Sequence, residues 1–96
     1  MQMHITVLFD IINSSDWWDE KFSIEADTIE NARAQAIQMA NTFELAHHIQ
    51  CVTISLPDGE RHYCFSGNMD RTTFRKILPP DFGPWYVIPA DNPRKR

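Results

Sequence analysis

Cysteine is scarce in this chain. Cys51 and Cys64 are the two present. That is too few for a disulfide framework, and free thiols are expected. No apolar run approaches the roughly 18 residues of a membrane span, and no basic-plus-apolar leader opens the sequence, so a cytoplasmic protein is expected. Glycine is also rare, at three in 96 residues, which leaves little material for an oxyanion hole. Basic side chains are nearly missing from the first sixty residues, where ten acids face only Lys21 and Arg33, a balance of −8. Residues 61–96 reverse this with three acids and seven bases, a balance of +4. The net charge of −4 argues against non-specific nucleic-acid binding as the main activity. A locally acidic face suits a basic protein partner instead.

What is present reads as one α+β domain over residues 1–90, followed by a solvated basic tail, 91–96. A chain of this size can bury one core without staples. Met3, Ile5, Val7, Phe9 and Ile11 alternate with His4, Thr6, Leu8, Asp10 and Ile12, the period of a strand with one buried face. Phe22, Ile24 and Ala26 repeat the pattern. The stretch between them, "NSSDWWDEKF" from Asn13 to Phe22, predicts a long hairpin loop. Asp27 or Thr28 can cap a helix. Its apolar stripe is Ile29, Ala32, Ala36, Met39, Ala40 and Phe43, and its end falls between Asn41 and Ala46. Val52, Ile54 and Leu56 mark a third strand, and Tyr63 and Phe65 a fourth. A two-residue Asp58-Gly59 turn of type I′ would join them, pairing Leu56 with Arg61, Ile54 with Tyr63 and Val52 with Phe65. Asn68 or Asp70 predicts a short second helix through Leu78, stopped by Pro79-Pro80. "FGPWYVIP" supplies a last extended piece packed on the sheet. The expected fold is two-layer: a four-stranded antiparallel sheet with one main helix in β-β-α-β-β order, for which a β-grasp arrangement is one solution.

The chemistry-bearing residues form several candidate sets. Cys51, Cys64 and His62 would converge as metal ligands if all three shared the solvent face, with His47 and His48 nearby. Their spacing matches no ligand knuckle, and the plain alternative is small thiols packed on a polar sheet face. Cys64 with His62, or Cys51 with His48, would supply a nucleophile and a base. Nothing in the sequence suggests an oxyanion hole, and a small two-layer domain rarely offers a concave pocket, so enzyme activity is not expected; the ligand spacing speaks against a metal, and no cofactor is expected. "DFG" at residues 81–83 is a turn, since no other kinase element accompanies it. Arg71, Arg75 and Lys76 could contact phosphates as a small nucleic-acid-associated regulator would, or could simply line the wet side of an amphipathic helix. Direct nucleic-acid contact is the second choice.

The first choice is the tryptophan pair. Trp17 and Trp18 are adjacent, so in an extended segment they point to opposite faces. One can close the core while the other stays at the surface, where tryptophan makes strong binding anchors. Asp16, Asp19, Glu20, Glu25, Asp27 and Glu30 surround the pair in sequence and would steer a basic partner toward it. The plain alternative is a solubilising acidic rim. Exposed edge strands also leave room for a homodimer.

The run "EKFSIEADTIENARAQAIQMA" joins a strand ending in "EAD" directly to an alanine-rich helix. In size, acidity and β-β-α-β-β order, Ile5 to Phe65 resembles several anti-CRISPR proteins of phages and mobile elements. The resemblance implies an inhibitor that occupies a basic surface of a host CRISPR effector. It rests on element order and carries over no residue roles. The basic C-terminal third departs from a pure DNA-mimic pattern.

Overall fold

The structure, a computed structural model, describes residues 2–66, 69–70, 75–76 and 82–90. Strand β1 (Met3–Asn13) and strand β2 (Asp16–Ala26) form a hairpin of eleven matched residues a side, from Met3 opposite Ala26 to Asn13 opposite Asp16. Helix α1 (Ile29–Thr42) follows, then a single 3-10 turn at Ala46–His48. Strand β3 (Ile49–Ser55) and strand β4 (Arg61–Ser66) form a second hairpin. Two short strands, β5 (Met69–Asp70) and β6 (Arg75–Lys76), pair with each other, and β7 (Phe82–Ile88) ends the described chain. The main sheet is antiparallel, in the order β2-β1-β3-β4-β7. β2 and β3 both run antiparallel to β1, so they run parallel to each other with β1 between them. Parallel strands need a crossover, and α1 supplies it across one sheet face.

The helix starts where a cap was available. Thr28 is extended, and its hydroxyl accepts from the Asn31 amide at 3.0 Å. Ala32, Ala36 and Ala40 are fully buried, and side chains this small let the helix axis lie close to the sheet. Ile5, Val7, Phe9 and Ile11 meet them from β1, with Val52 and Ile54 from β3. Ile29, Met39 and Phe43 pack at the margin, as the helical spacing predicts.

Four expectations change. The sheet has five strands rather than four, because the last extended piece pairs with β4 as an edge strand, setting Tyr63 opposite Tyr86 and Cys64 opposite Trp85. The expected second helix is not formed at Met69–Asp70 or Arg75–Lys76, which are strands. Asn68, Phe74, Ile77 and Leu78 of the expected helix lie outside the described residues. The long tryptophan loop is a two-residue turn, Ser14–Ser15, and both tryptophans belong to β2. Ser14 takes φ 59°, as a mirror-image hairpin turn requires, while aromatic side chains favour the strand that follows.

The fourth change is a one-residue shift in the β3–β4 register. Ser55 lies opposite Arg61, Ile54 opposite His62, Thr53 opposite Tyr63 and Val52 opposite Cys64. Pro57, which presets φ near −65°, takes the second position of a four-residue turn from Leu56 to Gly59. The Gly59 amide donates to the Leu56 carbonyl at 2.9 Å, and the Leu56 amide donates to the Glu60 carbonyl at 2.8 Å. Gly59 at φ 99° then forms the bulge that closes a three-residue loop. One extra loop residue moves Tyr63 and Phe65 to the face away from the helix and brings His62 and Cys64 under it.

Candidate functional site

Helix α1 covers one face of the sheet. Strand alternation fixes what the other face carries. β2 sends Trp17, Asp19, Lys21, Ser23 and Glu25 there, β1 sends Leu8 and Asp10, and β4 sends Tyr63 and Phe65. Tyr86 joins them from β7, with its ring 6.2 Å from that of Phe65. Phe65 and Tyr86 are 53% and 56% exposed, and Trp17 is 71% exposed.

The two tryptophans separate as an extended segment demands. Trp18 points toward the helix side, packs against the core and donates its indole N–H to Glu20 Oε2 at 2.9 Å. Trp17 stands on the open face. Beside it, Asp10 and Asp19 are directly opposed across β1 and β2. A depression of about 280 Å3 is lined by Asp10, Trp17, Trp18 and Asp19. A second, of about 420 Å3, runs from the same two carboxylates past Leu8, Cys51 and Thr53 to Tyr63 and Phe65. The acid pair therefore stands between two hollows with aromatic walls.

Its electrostatics are unfavourable in isolation. Burial raises the Asp10 carboxyl above the usual carboxylate range, and the charge of Asp19 and a hydrogen bond with it raise it further. Like charges directly opposite each other weaken an antiparallel pair. An Asp19→Asn chain should therefore be more stable at pH 7 by about 0.5 kcal/mol, measured by urea denaturation. The native Asp10 holds its proton more tightly than the unfolded chain does. Wild-type stability should thus fall as pH rises from about 4 through the raised native value, and Asp19→Asn should flatten that fall.

The remaining expected site residues are dispersed. Asp16 is exposed at the start of β2, near Trp17. Glu20 turns to the helix side and is held by Trp18. Glu25 is on the open face, but about 30 Å from Asp16 along the strand, and is 3.4 Å from His4. Asp27 and Glu30 are exposed at the start of α1. The acids of residues 16–30 thus form two groups at opposite ends of the hairpin. Arg71 lies outside the described residues, and Arg75 and Lys76 belong to β6.

The thiol and histidine sets do not converge. Cys64 and His62 face the helix, while Cys51 faces the opposite side beside Asp10 and Thr53. Burial, the largest cause, raises the Cys51 thiol; a hydrogen bond with Thr53 opposes it, and the smaller effect of the Asp10 charge adds to the rise. A protonated thiol is a poor nucleophile. Among the described residues, no three His, Cys, Asp or Glu side chains are grouped to hold a metal ion.

Sequence reasoning missed what His62 does. It is 3% exposed. Arg33 from α1 donates to its Nδ1 through Nε at 3.2 Å and Nη2 at 2.8 Å. A guanidinium only donates, so Nδ1 is the acceptor and the ring proton sits on Nε2, 3.2 Å from Glu60 Oε1. Arg33 also lies over the Trp85 ring, 5.3 Å from its centroid. This polar clasp ties the helix to β4 and β7 and uses both ring nitrogens, leaving His62 no role as a general base. Only the correct hairpin register would have placed His62 under the helix.

Comparison with protein families, with curated proteins and with solved structures finds no match. Among the described residues, no helix is long and apolar enough to cross a membrane.

Proposed function

We propose that this chain is a non-enzymatic binding protein that occupies a basic surface of a protein or nucleoprotein partner in the cytoplasm. Trp17 is the anchor, and Asp16, Asp19 and Asp10 supply the field. The observation that carries the reading is an indole 71% exposed on a sheet face that no helix covers among the described residues, next to two opposed carboxylates. The carboxylate pair costs the isolated fold stability, and an arginine or lysine set against it relieves the repulsion. The indole provides apolar contact area beside that charge. Folding gains little beyond strand propensity from the indole and loses from the carboxylate pair, whereas binding gains from both. The anti-CRISPR resemblance of Ile5 to Phe65 makes a CRISPR effector a partner of the right chemistry, blocked by simple occupancy of a basic surface.

The test is affinity capture from nuclease-treated lysate of the source cell, using the wild-type chain and an Asp16→Lys/Asp19→Lys chain. A protein retained by the first, lost by the second and released by added salt is the expected result. A partner set unchanged by the double charge reversal removes the reading. A partner that disappears on nuclease treatment points to nucleic-acid binding in its place.

A further inference from the structure

Strand β2 is an edge of the main sheet, and among the described residues no strand pairs with its outer side. Native edges are kept short, bulged, lysine-studded or interrupted by proline. β2 runs eleven residues, about twice a typical strand. It has no proline or glycine, one lysine at its centre, and an unbroken register with β1. The opposite edge, β7, is shorter and carries Pro84.

The two-residue Ser14–Ser15 turn decides which peptide groups are free. It makes Asn13 and Asp16 the first hydrogen-bonded pair of the ladder, and such pairs alternate with non-bonded ones. Trp18, Glu20, Phe22 and Ile24 therefore bond to β1. The amides of Trp17, Asp19, Lys21, Ser23 and Glu25 and the carbonyls of the first four point out from the sheet edge, while the Glu25 carbonyl accepts from Gln35 Nε2 at 2.9 Å. The side chains of these same five residues lie on the open face, and all five residues are exposed.

We propose that the free edge of β2 captures an extended basic segment of the partner by strand addition, with the segment's alternate side chains beside Trp17 and Asp19. This rests on the binding reading above and specifies how the partner is held. Charge selects the occupant. β2 and its flanking Asp27 carry Asp16, Asp19, Glu20, Glu25 and Asp27 against Lys21, five acids to one base. A second copy would set this edge against its own charge, whereas a segment rich in arginine or lysine neutralises it.

The probe is a short peptide of alternating arginine and valine, titrated into the full chain and followed by backbone amide exchange. The expected result is new protection at Trp17, Asp19, Lys21, Ser23 and Glu25. Two controls isolate the backbone pairing. The same peptide N-methylated on alternate amides keeps its charge but cannot pair, and it should give no protection. A Ser23→Pro chain loses an outward donor and crowds the edge while keeping its bonds to β1. It should bind the unmodified peptide about tenfold more weakly. Equal binding of the methylated peptide, or binding without protection of these amides, overturns strand addition. If that binding is nevertheless lost in Trp17→Ala, the anchor reading survives without the edge. Protection in the free protein together with a doubled mass assigns the edge to a second copy and also overturns the proposal.

Discussion

A Trp17→Ala chain should melt within about 3 °C of the wild type, yet bind its partner roughly 30- to 700-fold more weakly. The two numbers come from the same observation. Trp17 is 71% exposed and takes no part in the core, so truncating it costs the fold little beyond strand propensity. In a complex the same ring would lie between the partner and the Asp10–Asp19 pair, where a central aromatic contributes about 2–4 kcal/mol. Trp18→Ala is the informative contrast. That ring packs against the core and bonds to Glu20, so its loss should lower the melting temperature without abolishing the binding surface. Calorimetry of both variants, with binding measured by titration, separates the two roles. A Trp17→Ala chain that binds as tightly as the wild type ends the anchor reading.

Phe9→Ala should destabilise the domain by about 3–5 kcal/mol, the largest effect expected of any single truncation here. Phe9 is fully buried at the middle of β1. Its ring lies 5.0 Å from that of Phe22 and 5.2 Å from that of Phe43, with Phe22 and Phe43 themselves 6.1 Å apart. The three rings join β1, β2 and the segment just after α1. Ala32, Ala36 and Ala40 have no side-chain length with which to refill the space. A domain of this size has about 5–10 kcal/mol of stability in total, so the variant should be partly unfolded at 37 °C. Urea unfolding followed by tryptophan fluorescence measures it. A loss below about 1 kcal/mol would mean that the neighbouring rings collapse into the cavity.

Where one residue type dictated one geometry, the fold was legible in the sequence. Alternation gave β1 its buried face, Thr28 gave α1 its start, and the alanine spacing gave the helix its contact side. The acidic character around the tryptophans and the exposure of one ring were legible too. What could not be read hinged on turn length. Asp58-Gly59 signals a two-residue loop, but Pro57 ahead of it favours a loop one residue longer, and that residue reverses the facing of all of β4. Aromatics then move to the open face, and His62 moves inside. Ser14–Ser15 misleads in the other direction, since neither residue signals a tight turn, and the whole tryptophan segment reads as loop. The Asp10–Asp19 pair follows only from the resulting register of eleven residues a side.

The polar clasp of Arg33, His62 and Glu60 sits on the opposite side of the sheet from Trp17 and Tyr63. On the proposed binding reading, stability and recognition fall to alternate letters of the same strands. Odd-numbered positions of β2 can be randomised as a library while the even-numbered ones hold the scaffold, so a small combinatorial repertoire of binders could be selected from this chain without redesigning its interior.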